Sequence, residues 1–537
     1  MRDIHILAHP IIARFSAYRR AVPWYFVLPA LLVTAGVLVP LIYLLTRGFQ
    51  AESAELTSLL FRMRNLRLFA NTAALAGGVL VVSSLLAFPL AWLTTRTDLR
   101  ATRFFTLLGV LPLAVPGYVM AYVLLATTGG YGTLARLFDL GVPRLSGYGG
   151  SLIALSLYTF PYLFLNLRSA LIGLDPALEE SAQSLGYTPF QVFLRVTLPQ
   201  LRPAFYAGAL LIGLHVLGDF GVVSLMRFET FSYALYLQYN ASYDRIYAAW
   251  LALMLLAMTG GMLFLEARLL RGLLFHRTGA GAKRKAAPVT LGAWRFPAYG
   301  FVVVLSIVAI VLPVLTVAYW IGPGDGHEGW IDLGKALWSS VLASAPAAGL
   351  AVALALPLAY LGVRRPSPAS RAMERVAYLG YATPPLAFAL ALIFFTLQAL
   401  PGLYQTLLLL VFAYALHFLA EAIGPVRSAL YQAPPRLEEV ARSLGRSPLR
   451  AFFEATFPLL RRGLLVSLAF VFLSAMKELP LTFLLSPIGF ETLALNVWGY
   501  TNEALFGAAA PYALTIMGFS AAFVGLLLRE GERDTTV

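Results

Sequence analysis

The chain has 537 residues, 59% hydrophobic and only 12% charged, with a mean hydropathy of +0.76 and a formal net charge of +14. A soluble chain of this size would carry about a quarter charged residues, so a soluble globular enzyme is excluded, and with no cysteine disulfides, thiolate metal sites and iron–sulfur clusters are excluded too. Apolar runs of about 20 residues recur, each long enough to cross a bilayer as a helix; the fold class is therefore all-α polytopic membrane protein, and the positive charge belongs to basic loops rather than to nucleic-acid binding.

In chain order, residues 1–22 are basic, with Arg2, Arg14, Arg19 and Arg20, and an apolar run from Trp24 to Leu45 follows. That run is too long for a signal-peptide core and lacks a small-residue cleavage site, so it reads as the first spanning helix. Further spans are predicted near 69–95, 103–127, 150–173, 204–226 and 247–270. Residues 271–295, with Lys283, Arg284 and Lys285, read as a basic linker. Six more spans follow near 297–320, 336–362, 375–399, 404–426, 463–487 and 508–528. The organisation is a first half, 1–270, the linker, and a second half, 296–537, with about 12 transmembrane helices in all.

The halves repeat each other. LAFPLAWLTTR (86–96) resembles LALPLAYLGVR (354–364), Arg168-Ser-Ala-Leu matches Arg427-Ser-Ala-Leu, and Phe228-Glu-Thr matches Phe490-Glu-Thr. The longest match pairs LEESAQSLGYTPFQVFLRVTLPQLR (178–202) with LEEVARSLGRSPLRAFFEATFPLLR (437–461), where 13 of 25 positions are identical at an offset of 259 residues. Both copies are polar interruptions between apolar runs. Internal duplication in a membrane protein points to two pseudo-symmetric bundles with a pathway between them.

An even number of crossings puts both termini on one side. Most of the 40 Lys and Arg fall in segments on that side. By the positive-inside rule it is cytoplasmic, and it holds both repeated loops, both termini and the linker. Arg62, Arg64 and Arg67 run against the bias and are read as part of an interfacial helix ahead of the second span.

Within the first repeated loop, Leu178 to Leu185 has helical spacing, with Glu179 and Glu180 in the first turn, where the helix dipole favours acids. Gly186 reads as the turn residue, and Thr188-Pro189 as N-cap and first residue of a second short helix. Ser447-Pro448 repeats this in the second copy. Two short helices meeting at a glycine make a compact knob outside the membrane.

This spacing resembles the EAA loop of ABC-importer permeases: an acid, two small residues, then glycine and Leu-Pro at fixed distances. The first copy supplies Glu180-Ser181-Ala182, Gly186 and Leu198-Pro199; the second departs more, with Glu439-Val440-Ala441, Gly445 and Phe457-Pro458. The resemblance covers nearly the whole chain and is to the type with both halves fused. It implies that Glu179, Glu180, Ala182 and Gly186, with Glu438, Glu439, Ala441 and Gly445, form ATPase-coupling loops. It implies two cytoplasmic ATP-binding subunits docked there and an extracytoplasmic solute-binding protein. ATP would be bound and hydrolysed on those partners, leaving this chain a transport subunit with no cofactor and no enzymatic activity, in a bacterial cytoplasmic (inner) membrane. LGDFGVVSL (217–225) and KELPLTFLLSPIGFETLA (477–494) are similar to the ferric-iron permease group, with thiamine and phosphonate permeases as near relatives.

Asp219 lies within the 204–226 span, Lys477 and Glu478 lie within 463–487, and Asp219 and Glu478 are mates at the repeat offset. Ionisable groups inside a membrane are costly unless paired or wet. These either line the pathway or form an intramembrane ion pair in which Lys477 neutralises one acid. Gly218 and Pro480 beside them suggest broken helices in both cases. His215 precedes Asp219 by four residues and His417 precedes Glu421 by four, one helix face each. That spacing could ligate a metal, but buried polar residues bonded to each other or to water are the commoner cause, and no metal is assigned. His5, His9, His276 and His327 carry no signal. The chain contains no G-x-x-x-x-G-K-[ST], H-E-x-x-H or G-x-S-x-G. The rival class is an ion-coupled secondary transporter, with the membrane acids as proton or sodium sites.

Overall fold

The computed structural model describes residues 24–50, 62–241, 245–270, 288–322 and 330–533. The basic tail 1–22 with His5 and His9, most of the 271–295 linker with His276, Lys283, Arg284 and Lys285, the loop holding His327, and the last four residues lie outside them. Among the described residues the fold is helical, and extended backbone pairs only at an isolated bridge between Thr97 and Val289. Eight helices are long and apolar enough to cross a membrane, and four bent helix pairs raise the number of spans to as many as 12.

In the first half these are α1 (Trp24–Gly48), α2 (Met63–Arg96), α3 (Thr102–Ala114), α4 (Gly117–Thr127) and α5 (Gly147–Gly173). They are followed by α6 (Pro176–Ser184), α7 (Pro189–Gln200), α8 (Arg202–Gly218), α9 (Gly221–Leu225), α10 (Phe231–Ala241) and α11 (Arg245–Leu270). The second half repeats the order. It starts with α12 (Gly292–Ile321), α13 (Trp330–Arg364), α14 (Pro368–Ala382), α15 (Pro385–Ala399), α16 (Leu407–His417) and α17 (Leu419–Gln432). It ends with α18 (Pro435–Ser443), α19 (Pro448–Met476), α20 (Pro480–Leu485), α21 (Leu493–Asn502) and α22 (Phe506–Arg533).

Two spans that hydropathy makes straight are sharply broken. α3 and α4 meet at 91° around Val115-Pro116, and α14 and α15 at 107° around Thr383-Pro384. Proline lacks the N–H that would continue the ladder and forces the residue before it into extended backbone; Val115 and Thr383 accordingly sit at ψ 108° and 125°. Other bends belong to one half only. α7 and α8 bend by 57° just before Pro203, whereas α19 runs through the same place, with Arg462 as the mate of Pro203. α16 and α17 bend by 51°, whereas α5 is continuous.

The halves interlock. α1 packs against α13, α14 and α15 of the second half, with Phe26 stacked on Tyr360 at 4.2 Å between ring centroids. α12 packs in turn against α4, where the Thr316 and Thr127 hydroxyls lie 3.0 Å apart. The division at 270 and 296 therefore describes the sequence repeat, while the packing exchanges the opening helix of each half. Lipid gives no hydrophobic drive to such contacts, and small residues serve instead: the buried stripe of α13 is Ala336, Ser340, Ala343, Ala347, Ala351 and Ala355.

Arg62, Arg64 and Arg67 do not form a separate interfacial helix. Arg62 is the N-cap of α2, and Arg64 and Arg67 occupy its first turns, all exposed. α2 has 34 residues, about 51 Å against a hydrocarbon core of about 30 Å, so its ends project beyond the lipid tails. The Arg62 guanidinium lies over the Tyr247 ring, 4.9 Å from its centroid.

Candidate functional site

Each repeated loop folds as two short helices hinged at glycine. Asp175 caps α6 through the Ala177 N–H, 3.1 Å away. Thr188 and Gln191 form a reciprocal capping box on α7, and Ser447 accepts from the Arg450 N–H at the start of α19. Gly186 and Gly445 have φ of +87° and +84° with nothing within 4 Å of a Cβ placed on either, so backbone conformation alone demands glycine there. The Tyr187 N–H reaches the Ala182 carbonyl and the Arg446 N–H the Ala441 carbonyl, closing both helices alike. Ala182 is buried and Ala441 half-buried beneath these turns.

The paired acids of each loop separate in space. Glu180 and Glu439 are exposed. Glu179 and Glu438 turn inward, so they are pins that hold each loop to its own half rather than surface contacts. Glu179 takes both Arg96 terminal nitrogens at 3.2 Å and the Thr197 hydroxyl at 2.8 Å. Glu438 accepts from the Tyr360 hydroxyl at 2.9 Å, the Thr456 hydroxyl at 2.7 Å and Arg442 at 3.4 Å. Arg364, the mate of Arg96, holds the Ala433 carbonyl at 2.6 Å instead. Thr197 and Thr456 each end a π-helical turn, Phe193–Thr197 and Phe452–Thr456, whose extra residue aims the hydroxyl at the acid.

The intramembrane charges meet at a cavity of about 210 Å³ between the halves. Asp219, Lys477, Glu478, Glu421, His215 and His417 all border it. Asp219 Oδ1 accepts from the Val222 N–H at 2.9 Å and the Val223 N–H at 3.3 Å, and Glu478 Oε1 from the Leu481 N–H at 3.0 Å. Each acid thus satisfies donors that its own helix break leaves free. The breaks fall where Gly218 and Pro480 suggested, between α8 and α9 and between α19 and α20. Of the two alternatives, the Lys477–carboxylate ion pair is not formed among the described residues; Lys477 Nζ donates to the Leu113 carbonyl oxygen of the other half, 3.3 Å away.

The histidines do not join their acids either. His215 Nδ1 lies 2.8 Å from the Leu211 carbonyl and His417 Nδ1 3.1 Å from the Gly380 carbonyl. Glu421 accepts from the Ser474 hydroxyl at 2.7 Å. Among the described residues no three His, Asp or Glu side chains are placed to hold a metal ion together.

Charge alone misses part of this wall. Tyr118, Tyr158, Tyr162 and Tyr381 also border the cavity. The repeat offset would have found two of them, because Tyr158 is the mate of His417 and Tyr162 of Glu421. It also missed α10 and α21, which are too polar for hydropathy. The Phe-Glu-Thr repeats mark their starts: the first N–H of each, on Phe231 and Leu493, is taken by the Thr72 and Ser340 hydroxyls at 3.1 and 2.9 Å. Trp498 of α21 donates to Ser224 at 2.9 Å and packs its ring, tilted by 35°, against Phe220 of the cavity wall, tying the halves together beside it.

Fold and site together define a class: a polytopic membrane permease, two fused halves around a shared polar cavity, each presenting a pinned knob outside the membrane. The sequence profile of the binding-protein-dependent transport system inner membrane component family matches residues 80–324 and again 345–529. The chain belongs to this family of ABC-importer permeases and carries its domain twice. Among its relatives, the Fe(3+)-transport system permease protein FbpB 2 of Haemophilus influenzae is 32% identical over 512 residues, 95% of this chain and 98% of the relative. The ferric transport system permease protein FbpB of Actinobacillus pleuropneumoniae is 24% identical over 474 residues, 83% of this chain and 68% of the relative. The molybdenum transport system permease protein ModB of Escherichia coli is 33% identical over 133 residues, 24% of this chain and 58% of the relative.

Proposed function

We propose that this chain carries ferric iron inward across the cytoplasmic membrane. The observation that carries the reading is the similarity along 95% of the chain to a relative described as an Fe(3+) permease. The cavity supports it chemically. Asp219, Glu421 and Glu478 are hard oxygen donors suited to a hard cation, and the same three carboxylates would oppose an oxyanion such as molybdate.

In this reading two cytoplasmic ATP-binding subunits dock on α6–α7 and on α18 with the start of α19, and an extracytoplasmic binding protein delivers the cargo. The termini and the linker lie on the cytoplasmic side. ATP is bound and hydrolysed on the docked subunits. Their closure draws the two knobs together, the Glu179 and Glu438 pins pass that movement to α2 and α13, and the cavity opens outward; hydrolysis resets it.

Uptake of radiolabelled iron by cells lacking and regaining the gene tests the proposal, with thiamine and molybdate uptake in parallel. Iron uptake that follows the gene is the expected result. If thiamine or molybdate follows the gene and iron does not, the substrate is wrong while the permease family stands.

A further inference from the structure

Among the described residues that line the cavity, Lys477 is the one lysine or arginine, and it shares the wall with three carboxylates, Asp219, Glu421 and Glu478. It forms an ion pair with none of them. Its ammonium reaches across to the Leu113 carbonyl on the last turn of α3. Asp219 and Glu478 are each tied through one oxygen to backbone N–H groups, and Glu421 bonds the Ser474 and Tyr381 hydroxyls.

Tyr118, near the start of α4, supplies an independent sign of a ligand. It is only 5% exposed and borders this cavity, yet its hydroxyl finds no partner among the protein atoms. Buried hydroxyls are nearly always satisfied. Its position is set by Gly221: a Cβ there would lie 2.8 Å from Tyr118 Cβ and 3.1 Å from Leu479 Cδ2. Tyr118 therefore sits where the chain leaves both Asp219 and Glu478. The cavity also has room for several waters.

We propose that Tyr118, Asp219 and Glu478 form a subsite for a partly hydrated multivalent cation, and that Lys477 is its tethered countercharge, limiting how tightly the cation is held. Three carboxylates in an empty cavity would draw in any cation. The ammonium lowers that net negative charge and weakens the hold on each cation in proportion to the ion's charge, and the flexible lysine stem lets the ammonium yield toward Leu113. The same repulsion limits how tightly the cation is held, as a site that must release its cargo requires. This inference rests on reading the cavity as part of the pathway, so its test is a binding measurement that does not need uptake.

The full-length chain in lipid nanodiscs is titrated with Tb³⁺, a hard trivalent cation whose emission is sensitised by nearby tyrosine, with Ca²⁺ and Na⁺ as competitors. Saturable emission is expected, with Ca²⁺ competing and Na⁺ not. Glu478→Gln is expected to abolish it, and Tyr118→Phe, which removes only the hydroxyl, to weaken binding while Tyr158 and Tyr162 still sensitise. Lys477→Met is expected to tighten Tb³⁺ on the order of tenfold, while Na⁺, which feels the same change with a third of the charge, stays a poor competitor; Lys477→Gln gives the same shift if the first variant does not fold. Emission unaffected by Glu478→Gln and Tyr118→Phe overturns the subsite. Unchanged Tb³⁺ affinity in both Lys477 variants overturns the countercharge role. Tb³⁺ binding that behaves as expected in a chain that takes up no iron contradicts the proposed substrate and leaves the subsite standing.

Discussion

Leu185 and Leu444, beside the hinge glycines of the two repeated loops, are 80% and 78% exposed, and the glycines differ by 3° in φ. At the cavity, the same repeat offset pairs Tyr158 with His417, Tyr162 with Glu421 and Gly218 with Lys477. The two halves thus agree closely in the loops they present outside the membrane and diverge in the chemistry they place inside it. Under the proposed docking of two like ATP-binding subunits, equal knobs suit equal partners, and the backbone of both is constrained alike. A single cavity is built once from two walls, and each wall is free to supply what the other lacks. Half one contributes three tyrosines and one acid; half two contributes one tyrosine, two acids and the only lysine among the described lining residues.

The pins under the knobs give the sharpest contrast between halves. Removing Glu179 leaves the 5%-exposed Arg96 guanidinium without its carboxylate, which costs roughly 3–5 kcal/mol for a buried charge. Removing Glu438 strands mainly the Tyr360 and Thr456 hydroxyls, at about 1–3 kcal/mol. Denaturant unfolding in detergent is expected to rank Glu179→Ala below Glu438→Ala. Equal losses would mean that the two pins are equivalent.

The hinge glycines are expected to behave identically. Gly186→Val and Gly445→Val each force a β-branched residue into positive φ, costing about 1–3 kcal/mol locally, and each weakens co-purification of the ATP-binding subunits while the chain still inserts. Undiminished co-purification in the double variant would refute the role given to the turn.

A milder test addresses the bend that only the first half has. Pro203→Ala restores an N–H to the junction of α7 and α8 and is expected to relax the 57° angle, lengthening the distance between spin labels at the ends of the pair by about 5 Å. Arg462→Pro should shorten the corresponding distance along α19. No change in either variant would assign the asymmetry to packing instead of proline.

The smallest effect belongs to the described end of the linker, which is tied to the first half. Asp98 accepts from the Leu291 N–H and pairs with Arg295, both at 3.0 Å, and the Val289 N–H bonds the Arg96 carbonyl. The Leu291 N–H, and after it Arg295, hold the Asp98 carboxyl below its usual range. A lowered folded value means that the tether contributes fully above the unfolded aspartate value of about 4 and is lost as pH falls through the lower one. Asp98→Asn is expected to speed amide exchange at Leu291 at neutral pH, with little change in global unfolding. Exchange that stays slow would show that the bridge at Val289 suffices.

The spans, the duplication and the hinged loops were legible because they depend on local properties: apolar length, glycine at a turn, Thr or Ser before proline. The bends at Pro116 and Pro384 were hidden because a hydropathy window averages over the one residue that breaks the helix. Glu179 and Glu438 were placed with their exposed neighbours because a first-turn acid satisfies the helix dipole wherever its side chain points; only tertiary structure brings Arg96 and Tyr360 to them. Lys477 illustrates the same limit. Its neighbour in sequence is an acid, yet its partner in space is a carbonyl of the opposite half.

The central claim is that both repeated loops are docking knobs on the cytoplasmic face. The chain has no cysteine, so single cysteines at Leu185 and at Leu444 can be followed without background. Cross-linking in membranes holding the complete transporter is the direct measurement, with an impermeant thiol reagent applied to intact cells as its control. The account predicts that both positions cross-link to an ATP-binding subunit and that neither is labelled from outside. Labelling from outside, or failure of both to cross-link while the complex remains assembled, would contradict it.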